Sequence, residues 1–381
     1  MSWRDRRFES RDGANEPRKN LRVHRSDYMA AFPSFQRPVV SGYFSLDSER
    51  KYCPDMTELK YIYMPSNLND VKFDLNKGVE SMVRSINEYP DEKLDNILKW
   101  ILQNKNMFSN EYTRPLADFV CYRGLLTMIM CTPFEQREGW IILATKWKGM
   151  MYLCAKETEE ARIQREQYTE KQKRFMAWGF KFEDYLTSEK PDIKPNSEQP
   201  LIGKPEFCVV FRGKLDSHRI LFGAEMDGIV NKTEVKNLEE LQKAEFVELK
   251  TSRVIQHERQ YENFTKYKLI KWWGQSFLVG IERVLCGYRD DRGVVHQIQE
   301  HKVKDLPKLA KKAWDPSVCM NFCNSFLSFT KTVVQEDDPS TVWKFVWTPG
   351  SDVTYTKVPG PSELTFLPKW FTKESKSTGG I

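Results

Sequence analysis

Two short charged triplets could do chemistry together: Glu225-Met226-Asp227 and, about twenty residues later, Glu248-Leu249-Lys250. Both lie in apolar runs that read as strands, Arg219 to Ile229 (RILFGAEMDGI) and Glu245 to Ser252 (EFVELKTS). Residues two apart on a strand share a face, so Glu225 projects with Asp227, and Glu248 with Lys250. If the strands are neighbours, three carboxylates and one ammonium meet in a single patch. Oxygen-only donors suit Mg²⁺ or Mn²⁺, which take hard ligands in octahedral arrangements. A lysine beside such ions can hold or polarise an attacking water. The layout is that of a metal-dependent phosphodiesterase, and it points to nucleic acid. Either triplet alone is ordinary, since ExD is commonly the solvated face of a strand and ExK arises by chance. Three features join them. The surrounding runs are apolar, where an unpaired charge is costly. The interval lets consecutive strands run side by side. The helix that follows carries Gln275, within reach of a phosphate or water.

The elements that must position these groups are legible in outline. Residues 91 to 103 (DEKLDNILKWILQ) place apolar side chains at helical spacing after an acidic first turn. Residues 120 to 155 read as strand-like runs, with Lys148-Gly149 as a tight turn between two of them. Thr158 to Met176 is charged and helix-favouring, with Thr158 as a cap. Residues 256 to 279 form a helix packed through Tyr261, Phe264, Leu269, Trp272 and Trp273. Asp290-Asp291-Arg292-Gly293 reads as a hairpin turn, and Asp315-Pro316 opens an apolar helix with Asp as N-cap. Val342 to Trp347 reads as the last strand. Residues 30 to 80 read as short strands and loops.

Size and composition bound the rest. The chain has 381 residues, 40% hydrophobic and 13% aromatic, which is ample for a large core and excludes wholesale disorder. A net charge of +6 from 59 basic and 53 acidic residues is too mild to mark a nucleic-acid binder by itself. Residues 1 to 28 read as a basic, disordered tail; 29 to 358 as one catalytic domain with a proline-rich inserted loop near 187 to 205; and 359 to 381 as a flexible C-terminal tail. Eight cysteines without a CxxC pair, and five histidines without zinc-ligand spacing, read as reduced thiols in an intracellular protein, nuclear or cytoplasmic. No apolar run approaches the ~20 residues that span a bilayer, so no membrane partner is expected.

Beyond this pattern, the chain is similar to the DXO family of decapping exoribonucleases from about Gly42 to Pro349. The likeness is carried by Tyr122-Arg123-Gly124, by GFKFEDY from Gly179 to Tyr185, by Glu225-Met226-Asp227, and by ELKTS from Glu248 to Ser252. KWWGQSF from Lys271 to Phe277 and WDPSVCMNF from Trp314 to Phe322 complete it. The resemblance implies an α+β, PD-(D/E)XK nuclease-like fold with one larger mixed sheet and one smaller antiparallel sheet, flanked by helices. It implies action on RNA 5′ ends: removal of incomplete, unmethylated or nucleotide-cofactor caps, and in many members 5′→3′ digestion of the exposed RNA.

The resemblance also assigns roles by position. Glu183, Glu225, Asp227 and Glu248 would be the acidic metal set, with the Leu249 carbonyl as a further ligand. Two Mg²⁺ or Mn²⁺ ions about 4 Å apart suit phosphoryl chemistry. Lys250 and Gln275 would orient the water and scissile phosphate, and Arg123 would grip the substrate. Glu183 enters only through the family pattern. The chain departs from that pattern at Tyr122, where a tryptophan usually precedes the arginine. Some members have lost acidic positions and bind RNA without cutting it, and some bind a large 5′→3′ exoribonuclease. A binding or activator subunit is therefore the competing reading, and a DNA nuclease of the same fold a third. Trp272 and Trp273 could stack on bases, but as large aromatics on a packed helix they read as core. Nothing places His257 or His296 near the acids.

Overall fold

The computed structural model describes residues 19–85, 92–104 and 117–374. Residues 1–18, 375–381 and the first residue of the 91–103 helical run fall outside them. Two sheets form the frame. A ten-stranded sheet runs, in spatial order, through Asn20–Leu21, Val353–Val358, Val342–Trp347, Trp140–Trp147, Met150–Lys156, Phe119–Tyr122, His218–Glu225, Glu206–Leu215, Phe35–Leu46 and Tyr52–Cys53. It is mixed, because Phe119–Tyr122 is parallel to both of its neighbours. The second sheet has seven strands: Phe73–Asp74, Val294–Lys302, Arg283–Arg289, Glu245–Arg253, Gly228–Val230, Tyr61–Ile62 and Thr187–Ser188.

The expectation of an antiparallel second sheet is corrected. Glu245–Arg253 runs parallel to Arg283–Arg289, and Gly228–Val230 parallel to Tyr61–Ile62. The parallel step is possible because the helical segment from Glu258 to Val279 connects the first pair, and parallel strands need such a crossover. That segment is α-helical at both ends and π-helical at Phe264–Leu269. Its buried face is Phe264, Leu269, Trp272 and Trp273, whereas Tyr261 is 44% exposed and lies outside the packing set.

Other readings shift as well. The run after Tyr122 is not strand but the helix Arg123–Cys131; a short apolar run without alternation does not distinguish the two. Thr158 does cap a helix, accepting from the Ala161 N–H, but that helix ends at Glu166. A second helix, Glu170–Leu186, begins behind a capping box in which Thr169 and Gln172 satisfy each other's backbone donors. The Lys148-Gly149 and Asp290–Gly293 turns form, as does the Asp315 N-cap, which accepts from Ser317 N–H at 2.7 Å. Phe35–Leu46 is a full twelve-residue strand, and Val353–Val358 follows Val342–Trp347. Neither assigned tail is loose throughout. Leu21 and Tyr28 are buried, and Tyr28 packs edge-on against Phe322. Phe366, Leu367 and Phe371 are buried beside Tyr152 and Val342. Large aromatic and aliphatic side chains at those positions had somewhere to go.

The largest core joins residues of both sheets to the helices Arg123–Cys131, Ile270–Val279 and Pro316–Val333. Seven of the eight cysteines are buried and all eight are free thiols.

Candidate active site

The chain passes from one sheet to the other at the acidic triplet. Glu225 ends the strand His218–Glu225 of the ten-stranded sheet, and Gly228 opens Gly228–Val230 of the seven-stranded one. Met226 is buried at the crossing and donates its N–H to the Phe207 carbonyl at 2.9 Å. Asp227 therefore sits at the seam. Gly228–Val230 pairs antiparallel with Glu245–Arg253, Gly228 standing opposite Val247, and this register brings Asp227 to Glu248. Asp227 Oδ2 accepts the Leu249 N–H at 2.6 Å. The triplets do converge, but through a strand that changes sheets rather than through two whole strands lying side by side.

The other groups arrive on helices. Arg123 is the first residue of its helix, directly after Phe119–Tyr122, whose Tyr122 pairs with Gly223 on the Glu225 strand. Gln275 lies on Ile270–Val279, which approaches the Arg123 helix at Gly274; a Cβ there would stand 3.1 Å from Thr127 Cγ2. Glu183 lies on Glu170–Leu186, which seats Phe182 directly over Gly287 of the seven-stranded sheet. A Cβ on Gly287 would come 2.4 Å from the Phe182 ring, so only glycine lets this helix close on the sheet. Tyr122 is itself tightly seated: a Cβ on Gly223 would lie 2.8 Å from its ring.

These side chains divide into a locked half and an open half. Glu248 is 1% exposed and takes Arg123 Nη1 at 3.1 Å on one oxygen and Lys250 Nζ at 2.5 Å on the other. Burial pushes its pKa up, but Lys250 and Arg123 outweigh burial and hold it at about 2. Burial also works against the charge on Arg123, which is 7% exposed, yet Glu248, Asp227 and Glu225 keep the guanidinium firmly protonated. Lys250 is likewise raised against burial by Glu248 and Asp227. Among the described residues, neither Glu183 nor Glu225 has a hydrogen-bond or ion-pair partner for its carboxylate. Burial, then repulsion from Glu206 and Asp227, lifts Glu225 to about 8. Burial and Glu248 lift Asp227 to about 6, opposed by Lys250 and the Leu249 N–H. Glu183 is raised well above the carboxylate range by burial and by Asp227 and Glu225.

Two cavities meet at Glu225 and Glu206. One, of about 320 Å³, is walled by Arg50, Glu92, Arg123, Gly124 and Gln275. The other, of about 150 Å³, is walled by Glu183, Asp227, Phe180, Ile202 and Lys204. Glu225 is open to solvent yet enclosed by protein mass on both sides, the position of a group on a cleft floor. Arg50, which binds Glu92 at 2.8 Å and also Glu206, was not legible as a site residue, because the three come from distant segments with no shared motif. The loop near 187–205 is tied down rather than free. Lys181, fully buried, donates to the carbonyls of Ser197 and Gln199, and the loop's Ile202 and Lys204 form one wall of the smaller cavity. Trp272 and Trp273 are core, His257 is exposed, and His296 faces Asp290 on the surface.

Among the described residues, no group of three or more His, Cys, Asp or Glu side chains already stands in metal-holding geometry. The reason is visible: Glu248 and Asp227 are turned to protein donors. The donor set nevertheless fits a hard divalent cation. Glu183 and Glu225, without partners among the described residues, are crowded by other carboxylates, and a cation beside them would relieve that repulsion.

Comparison with known proteins now decides the family: residues 36–372 match the model of the RAI1 like PD-(D/E)XK nuclease family. The chain belongs to that family. It is 37% identical over 363 residues to the decapping and exoribonuclease protein of Xenopus laevis, covering 92% of this chain and 89% of that one. Among solved structures it is similar to S. pombe Rai1 in complex with 3′-FADP, with TM-score 0.66, 26% identity, and coverage of 88% of this chain and 98% of that one. It shares its fold with Candida albicans Rai1 in complex with pU5-Mn²⁺, with TM-score 0.77, 20% identity, and coverage of 94% and 99%. The mixed sheets and flanking helices are thus those of a PD-(D/E)XK nuclease.

Proposed function

We propose that this protein is a divalent-cation-dependent hydrolase of RNA 5′ ends that removes incomplete, unmethylated or nucleotide-cofactor caps and then degrades the RNA 5′→3′. One observation carries the reading: two carboxylates without partners among the described residues, Glu183 and Glu225, face a buried Arg123–Glu248–Lys250 network across the Asp227 seam. Family membership supports it, as do the decapping and exoribonuclease name of the frog relative and the 3′-FADP, a nucleotide-cofactor form, held by the S. pombe one.

Glu183, Glu225, Asp227, Glu248 and the Leu249 carbonyl would hold Mg²⁺ or Mn²⁺. When bound, such ions polarise the phosphoryl oxygens and lower the pKa of water. The chain's own groups do the rest. Arg123 spends one N–H on Glu248 and has others to fork onto substrate phosphate. Lys250, fixed by Glu248 and kept charged by Glu248 and Asp227, would orient the nucleophilic water. Gln275, on the far wall of the larger cavity, offers an amide to orient the phosphate or water. Because these donors are set by packing, they need little rearrangement as charge develops.

The test is a panel of RNAs differing only at the 5′ end: triphosphate, monophosphate, hydroxyl, unmethylated cap, methylated cap and dinucleotide cap. Each is incubated with Mg²⁺, Mn²⁺ or chelator, beside matched DNA. We expect metal-dependent release of 5′ products from some RNAs, abolished by Glu225→Ala with Asp227→Ala, and weaker action on DNA, which lacks the 2′-hydroxyl. Wild-type protein inert on every end would defeat the reading.

A further inference from the structure

The larger cleft does not end at Gln275. Gly124 and Gln275 also wall a third cavity of about 270 Å³, which runs between the Arg123–Cys131 and Ile270–Val279 helices to Lys271, Glu135 and Glu138. Lys271 lies one helical turn before Gln275, a rise of about 6 Å along the same face. It is half exposed, and its nearest acid, Glu135, stands at 3.8 Å. Glu135 Oε1 accepts the Gln136 and Arg137 N–H groups at 2.9 Å each, and Oε2 is the oxygen that meets Lys271, at a distance too long for a close ion pair. Beyond Lys271 the π-helical segment presents Lys266 and Tyr267. The Arg137 guanidinium stands over the Tyr267 ring, 4.0 Å from its centroid, and Lys266 is 5.1 Å from the same centroid and donates to Gln136. Lys271 therefore lines the groove itself, Arg137 adjoins it between the lining residues Glu135 and Glu138 and carries Lys266 and Tyr267 with it, and Gly124 and Gln275 join the inner end to the larger cavity of the cleft. Glu135 and Glu138 are the acids that face these cations.

We propose that this groove is the track for the RNA body: Lys271 takes the first backbone phosphate beyond the scissile one, which a dinucleotide lacks, and Lys266, Arg137 and Tyr267 hold the next nucleotides by charge and stacking. The proposal rests on the function proposed above and extends it. Basic side chains follow a nucleic-acid backbone without reading its sequence, and an aromatic face accepts any base. The surface should therefore set a preference for length, not for base or cap type. It lies away from the carboxylates, so its loss should spare the chemistry.

The experiment combines Lys266→Ala, Arg137→Ala and Lys271→Ala in one variant. All three side chains are at least partly exposed, and circular dichroism and the melting temperature check the fold. Turnover of a 5′-monophosphate dinucleotide and of a twenty-nucleotide RNA is measured with metal. Anisotropy binding of the long RNA is measured in chelator at several salt concentrations. For the long RNA we expect KM and Kd to rise about tenfold or more at low salt, and the slope of log Kd against log salt to fall by about 2. Dinucleotide kcat/KM should stay within about twofold. Equal loss on both substrates, or no change on the long RNA in either assay, would overturn the track. Wild-type protein that binds long RNA through these residues but cleaves neither substrate would retain the track and sink the hydrolase reading instead.

Discussion

A cavity of about 830 Å³, larger than either cavity of the acidic cleft, is an aromatic groove lined by Phe32, Phe35, Trp273 and Phe277. The contrast is in how charge is handled. In the groove, Arg283 is held by Glu245 at 2.6 Å and Glu300 at 3.2 Å, and Arg37 by Glu282 at 3.7 Å. In the cleft, whose two cavities are about 320 and 150 Å³, Glu183 and Glu225 have no such partners among the described residues and Asp227 is lifted to about 6. Volume alone does not mark a site. Like charges that packing forces together, without the counterions that would quiet them, mark it better, because the fold must spend stability to keep them there.

Breaking the locked half should show this most strongly. Arg123→Ala would leave Glu248 buried with only Lys250, and removing one partner of a buried pair costs about 3–5 kcal/mol. We expect thermal and denaturant unfolding to show a loss at the lower end of that range, with Lys250 retained, and 5′-end hydrolysis to fall at least a hundredfold. Arg123→Lys should recover much of the stability but little of the activity, since ammonium lacks the fork.

Relieving the open half should act in the opposite sense. Glu225 has a folded pKa raised above its unfolded value, so it adds stability below about pH 4.3 and loses it as pH rises through about 8. Metal-free protein should therefore weaken between these values. Glu225→Gln should stabilise it at pH 8 by about 1 kcal/mol, a figure kept small because Glu225 is solvent-accessible. Added Mn²⁺ should raise the melting temperature of wild type more than that of Glu225→Gln. A variant no more stable than wild type in chelator at pH 8 would show that the carboxylates are not under strain.

The smallest change belongs to the groove. Arg283→Ala breaks two partly exposed pairs and should cost about 1 kcal/mol or less, with turnover of a 5′-monophosphate RNA within twofold. A large drop in turnover would mean that the two regions are coupled.

The elements of the fold were legible where local rules are strong. The Asp315 cap, the Lys148-Gly149 turn and the apolar face of Trp272 and Trp273 all depend on near neighbours and form as read. The helix beginning at Arg123 looks like strand in the sequence because its apolar run has no period to betray it. The parallel pairing of the second sheet was missed because pairing direction is set by the connection, not by the strand's own residues.

For the site, the chain's own residue order determined which groups are present: carboxylates two apart, a lysine two after Glu248, an arginine before an apolar run, a glutamine on the next helix. Three-dimensional packing alone decided their state. It made the acidic triplet a crossing between sheets, brought in Glu183 on the helix whose Phe182 seats over Gly287, locked Glu248 with two cations, and left Glu183 and Glu225 with none among the described residues. The physical reason is range. Faces and caps are fixed by neighbours a few residues away, whereas a carboxylate's charge depends on groups a few ångströms off that are far removed along the chain.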